Sequence, residues 1–167
     1  MKLISATLAT WVLASSICMA EQLPAPTGDV LITISGEIAN ESSDSAVIMD
    51  MAQLQAFPAK EFTTSTIWIE EDVTFTGVSL KALLEHADVK GSTIEAVALN
   101  DYKVEIPIDS LTDEAPIVAY HMDGQEMSPR DKGPRWIVYP YDADPKYRSE
   151  VIYSRSIWHL DRIVAVK

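Results

Sequence analysis

Apolar and polar residues alternate with a period of two over VLITISGEI (30–38) and again over YKVEIPI (102–108), as in strands with one face buried. RWIVYP (135–140) and DRIVAVK (161–167) are more continuously apolar and read as buried strands. Asp123-Gly124 follows the apolar IVAYH (117–121) and predicts a hairpin turn into a second short strand. One segment keeps the helical period. In SLKALLEHADVKG (79–91), Ser79 suits the N-cap, Leu80, Leu83, Leu84 and Ala87 form one apolar face, and Gly91 follows the end. These elements add up to a mainly β, α+β domain.

The first 20 residues stand apart from this pattern. A lysine at position 2, the apolar run LISATLATWVLASSICMA and small residues before Glu21 have the form of a secretory signal peptide cut after Ala20. The run is too short, and too soon followed by polar sequence, to span a membrane. Cys18 is the chain's single cysteine, and Ile17 is a poor residue to precede a lipidated one. The mature product is therefore expected to be periplasmic, free of cysteine, and without direct membrane insertion once the signal is cut. Residues 21–29, with PAPTG, read as a leader, and 30–167 as a single domain long enough to bury a core. ANESSDSA (39–46) reads as a surface loop; its Asn40-Glu41-Ser42 triplet matches a glycosylation acceptor but is common by chance.

Charge is distributed unevenly. All five arginines lie at or after position 130, and residues 130–167 carry a net +3, against −16 for residues 21–129. A surface this acidic does not bind nucleic acid or an anionic bilayer. A local basic site for a small ligand remains open, as does simple pairing of the basic tail with the acidic body. The cations and rings meet in RDKGPRWIVYPYD (130–142), where Arg130, Lys132 and Arg135 precede Trp136, Tyr139 and Tyr141. Arg135 neighbours Trp136 on a strand and so should point to the opposite face, as a surface residue. Tyr139 and Tyr141 straddle Pro140, which should put at least one at a rim or in solvent.

Conventional catalytic motifs are missing. His86, His121 and His159 lack metal-ligand spacing, and His86 reads as a surface residue of the helix. No nucleophile elbow is present. The acids of IEEDV (69–73) read as a solvated turn.

FTGVSLKALLEHADV, ALNDYKVEIPI, AYHMDGQEMSPRDKGPRWIVYP and IWHLDRIVAV occur in the order found in the sulfite oxidase-type molybdopterin-binding domain, which the chain resembles over residues 30–167. The resemblance implies that family's fold and a pterin pocket with basic residues for a phosphate. It also implies departures. The family holds molybdenum through a cysteine upstream of the GVSL helix, where this chain has FTTSTIWIEEDVTF (62–75), with hydroxyls at Thr63, Thr64, Ser65 and Thr66. A hydroxyl is a poor replacement for a soft thiolate. Aligning GPRWIVYP by its final proline puts Trp136 in place of a family arginine, and Lys132 near a usual histidine.

A rebuilt wall of this kind suits a flat, polar bicycle, on whose face an indole can stack. A carboxylate accepts paired N–H groups of the ring edge, while Arg or Lys donates to its carbonyl. The candidate ligand-binding residues are therefore Asn100, Asp101, Tyr102, Arg130, Lys132, Gly133, Trp136, Tyr139, Arg148, Arg155 and Trp158, with no catalytic residue and no metal ligand. Packing in the core is the competing role for both tryptophans.

The chain further resembles small cysteine-less members of the family that act as periplasmic pterin sensors. That resemblance implies a reduced, metal-free pterin ligand and, as partner, the periplasmic domain of an inner-membrane diguanylate cyclase/phosphodiesterase, linking the protein to cyclic-di-GMP and biofilm formation. Two other readings stand beside it. One is a periplasmic molybdenum-cofactor oxidoreductase, or a subunit of one, without the usual cysteine. The other is a former cofactor domain that now only binds proteins.

Overall fold

The computed structural model describes residues 25–39 and 46–167. The expected signal peptide, Cys18 and the glycosylation triplet lie outside these residues. Among the described residues no helix is long and apolar enough to cross a membrane.

Among the described residues, ten strands form two sheets. In the first, β2 (Val47–Met49), β1 (Ile32–Gly36), β10 (Leu160–Val166), β5 (Thr93–Ala98) and β6 (Lys103–Pro107) lie side by side in that order. In the second, β3 (Ala59–Thr64), β4 (Val73–Ser79), β7 (Ile117–Met122) and β8 (Gln125–Glu126) follow one another, and β9 (Trp136–Val138) also pairs with β7. All strand pairs are antiparallel except β1 with β10, which run parallel with Ile34 opposite Ile163. Inward-facing residues of both sheets, among them Ile32, Ile34, Ile94 and Ile163 from the first and Phe75, Val78 and Val118 from the second, join one apolar core. Burying each such side chain contributes about 1.5–3 kcal/mol.

The hairpin at Asp123-Gly124 forms as the dipeptide requires, with both residues in the left-handed region (φ 50° and 73°) between β7 and β8. The expected helix is α2 (Leu80–His86), and the Ser79 hydroxyl caps it by accepting the Ala82 N–H at 3.4 Å. Leu80, Leu83, Leu84 and Ala87 are all buried, and His86 is exposed. Its end differs from the expectation. Asp88, at φ 51°, makes the left-handed turn, and the Val89 N–H reaches the Leu84 carbonyl at 3.1 Å. Gly91 serves a close approach instead: a β-carbon there would stand 2.3 Å from the Val166 carbonyl oxygen.

Two further helices were not expected from periodicity, because each has only six residues. α1 (Met51–Ala56) starts from a capping box in which Asp50 and Gln53 exchange side chain-to-backbone bonds at 3.0 Å. The same Asp50 carboxylate accepts the N–H groups of Thr27 and Gly28 at 2.8 and 2.9 Å, tying the leader to the domain. These donors, Gly28 first, hold its carboxyl below the usual range. α3 (Glu150–Arg155) buries no residue of its own and leads into β10.

Candidate functional site

Where β9 meets the approach to β10, five aromatic rings from separate parts of the chain converge. Trp68, in the connection between β3 and β4, lies at their centre. Its ring centroid is 5.5 Å from Trp136, 5.7 Å from Trp158, 5.9 Å from Tyr153 and 6.1 Å from Tyr141, all edge-on. Edge-to-face pairs at such distances are favourable because the positive rim of one ring meets the negative face of another. Beside this cluster opens a cleft of about 480 Å³, walled by Ile67, Trp68, Tyr102, Tyr153 and Trp158, with Asn100, Ser154, Ser156 and His159 as its polar members. This is within the size range of small-molecule sites. No Asp, Glu, Lys or Arg side chain among the described residues lines it.

Short polar contacts set these walls. The Thr66 hydroxyl accepts the N–H groups of Trp68 and Ile69 at 3.2 and 2.9 Å, closing the turn that presents Trp68. On the opposite side, Ser149 caps α3 through the Ile152 N–H at 3.3 Å. Ser156 stops the helix. Its carbonyl accepts the Trp136 indole N–H at 3.1 Å, and its hydroxyl accepts from Tyr141 at 2.7 Å while donating to the Ile152 carbonyl at 2.8 Å. His159, at φ 56°, has its Nε2 2.8 Å from the Pro129 carbonyl oxygen.

The structure brings three of the sequence-predicted residues, Asn100, Tyr102 and Trp158, to the cleft wall. Tyr102 is 57% exposed and Trp158 36%, and the Asn100 side chain accepts the Tyr102 N–H at 3.2 Å. Lys132 does not line the cleft, but its ammonium stands 5.7 Å from the Trp136 ring and 5.5 Å from the Trp158 ring.

The other candidates fall elsewhere. Trp136, expected to stack on a ligand, is fully buried on β9, packed against Phe75 at 5.2 Å, and does not line the cleft. An indole in an apolar strand buries more area in the core than it could at a rim. Asp101 is drawn off by Arg162, which it meets at 2.5 Å. Arg148 is held by the Asp142 carboxylate and the Tyr141 carbonyl. Arg155 ends α3, where its charge acts on the Tyr139 phenol. Arg130 is exposed on the 3-10 turn Pro129–Asp131. Gly133 is structural, since a β-carbon there would stand 1.9 Å from the Met127 carbonyl oxygen.

Tyr139 and Tyr141 are both buried, so neither faces solvent, and burial pushes both phenols up. The Tyr139 hydroxyl is buried without a hydrogen-bond partner. Arg135, expected at the surface, is also buried; its Nε donates to the Leu160 carbonyl at 2.8 Å. Burial pulls this guanidinium down to about 10, opposed by the nearby Asp161, so it stays cationic at neutral pH.

Trp68, Tyr153 and His159 were not among the expected site residues. The signal was present in WIEED and IYSRSIWH, where isolated rings interrupt polar sequence, but only convergence in space gives them a shared wall.

The profile described as "Oxidoreductase molybdopterin binding domain" matches residues 24–142. The chain belongs to this family. The match stops short of α3 and of Trp158, so one side of the cleft is built by residues beyond it. Among solved structures, the chain is similar to the sulfane dehydrogenase SoxCD from Paracoccus pantotrophus, with a TM-score of 0.62 and 16% identity over 86% of this chain. It spans 40% of that protein's chain, and at this identity the likeness is one of fold. A search of curated proteins finds no match.

The family's group can be tested against the residues present. The cleft offers edges and faces of rings, amide and hydroxyl groups, all suited to the ring of a molybdopterin. The metal end is different. At the segment where the sequence resemblance places a cysteine, the Thr63 hydroxyl bonds that of Thr74 at 2.8 Å, Ser65 and Thr64 turn to Asp142, and Thr66 closes its own turn. Among the described residues no three His, Cys, Asp or Glu side chains converge to hold a metal. In this domain of the molybdopterin-binding family, the cleft lining suits the chemistry of a pterin ring, and a soft metal ligand is missing from that segment.

Proposed function

We propose that this chain is an exported pterin-binding protein that holds a metal-free, reduced pterin in the aromatic cleft and acts as a sensor, not as a catalyst. The observation that carries this reading is a wall of Trp68, Tyr102, Tyr153 and Trp158 with polar side chains of Asn100, Ser154 and His159 in the same lining. A flat bicycle buries apolar area against such rings, and each hydrogen bond to Asn100, Ser154 or His159 adds about 0.5–1.5 kcal/mol. The partner in this reading is the periplasmic domain of an inner-membrane diguanylate cyclase/phosphodiesterase, which has only to prefer the loaded form. Large exposed apolar residues favour a protein partner near the mouth: Ile67, Tyr102 and Trp158 line the cleft, and Leu99 adjoins Ala98 and Asn100, which also line it.

The test is mass spectrometry of the small molecule released when protein exported to the periplasm is denatured without air. A metal-free pterin is the expected result. Membership of an oxidoreductase family favours a second reading, a molybdenum-cofactor oxidoreductase or subunit using an oxygen ligand or none. It requires stoichiometric molybdenum and turnover of an oxo-transfer substrate, and protein with neither rules it out.

A further inference from the structure

Asp142 ties the segment after β3 to the segment after β9. Its carboxylate accepts the Ser65 backbone N–H at 2.5 Å and the Ser65 hydroxyl at 2.8 Å, and lies 3.3 Å from the Thr64 hydroxyl. The Thr64 hydroxyl oxygen in turn accepts the Asp142 N–H at 3.1 Å, across 78 positions of sequence. Arg148 closes the carboxylate from the other side and donates from Nε to the Tyr141 carbonyl at 3.0 Å. Two neighbours turn this clamp into cleft geometry. Ser65 leads directly into the Thr66 turn that presents Ile67 and Trp68. Tyr141, adjacent to Asp142, sets its ring 6.1 Å from Trp68 and 5.4 Å from Tyr153.

We infer that Asp142 is a positioning residue for the cleft: by holding Thr64 and Ser65 it fixes Trp68 in the wall before any ligand arrives, without a metal–ligand bond in this segment. The clamp needs a carboxylate. Its two oxygens accept from Ser65 twice and from Arg148, whereas an amide has one acceptor oxygen and turns a donor towards one of these donors. The inference rests on the cleft being the ligand site, and its test separates the two ideas.

The experiment uses Asp142→Asn, Trp68→Ala and the double variant, each titrated anaerobically with tetrahydrobiopterin as the probe. Losing charge-assisted bonds that order the wall should weaken binding about tenfold in Asp142→Asn, and by under about twofold when Trp68 is already alanine. Wild-type affinity in Asp142→Asn, or losses that simply add in the double variant, would overturn the inference. A second readout needs no ligand: near-UV circular dichroism of the coupled indoles, and acrylamide quenching in a Trp158→Phe background. Asp142→Asn should flatten the near-UV bands and raise quencher access, and unchanged values would equally overturn it. If wild type binds no pterin, the proposed function loses its support and the ligand-free readout alone decides the role of Asp142. Should Asp142→Asn not fold, Ser65→Ala, which keeps the backbone bond, provides the same two readouts with an expected two- to threefold effect of about one neutral hydrogen bond.

Discussion

β9 and the turn after β3 each deliver a tryptophan to the same cluster, and their fates are opposite. Trp136 comes from a strand paired to β7, packs against Phe75, and is sealed at 0% exposure. Trp68 comes from a polar turn and reaches only the boundary, where one side meets other rings and another lines the cleft. The same side chain is core in one place and wall in the other because the backbone under it differs. A strand paired to the sheet over the core commits its side chains to enclosed positions, whereas a turn pinned at a few hydrogen bonds can set a ring at an edge.

The largest effect should come from breaking the strand-borne ring. Trp136→Ala removes a fully buried indole and its bond to Ser156, and should cost about 3–5 kcal/mol in equilibrium denaturation. Loss much below that would mean that Trp136 is not the keystone of the cluster.

The cleft-borne ring should behave in the opposite way. Trp158, 36% exposed, should on replacement by alanine change the denaturation midpoint little while weakening pterin binding about three- to tenfold, the scale of one aromatic contact. A large stability loss with unchanged affinity would reverse the comparison.

A pH series sharpens it further. The Ser65 backbone N–H, then its hydroxyl, then Arg148 hold the Asp142 carboxyl down to about 2. A free aspartate titrates near 3.8, so the stability the clamp provides is complete above that value and is lost as pH falls through about 2. Wild type and Asp142→Asn should differ in thermal midpoint at neutral pH and converge near the acid limit. Curves that stay parallel down to that limit would show that the carboxylate's charge is not what holds the turn.

The smallest effect is expected at Asp101, the carboxylate expected to read the ring edge. Paired with Arg162 at the surface, it should tolerate Asp101→Asn without measurable change in affinity for tetrahydrobiopterin. A clear loss would mean that Arg162 releases it to the ligand.

Local pattern was enough to determine several elements. Alternation in 30–38 and 102–108 encoded β1 and β6, Asp123-Gly124 encoded the β7–β8 hairpin, and the leucines of 79–91 encoded the buried face of α2. These depend on nearest neighbours along the chain: side chains repeat with the period of the backbone, and the turn needs residues that accept positive φ. Residue order also carried the resemblance to the family, and with it the fold.

The cleft depended on more. Trp68, Tyr102, Tyr153 and Trp158 share a wall only because β9 pairs with β7, and β10 lies between β1 and β5. None of that pairing is written in any one segment's period. The same holds for the charges. Arg148 and Asp101 read as free recognition groups in sequence, and each is taken up by a partner that the fold alone brings near. Local periodicity determined the buried faces of β1, β6 and α2, because side chains there repeat with the backbone; long-range register decided that Arg135 and Tyr139 were enclosed and which of the remaining rings and charges were left to meet a ligand.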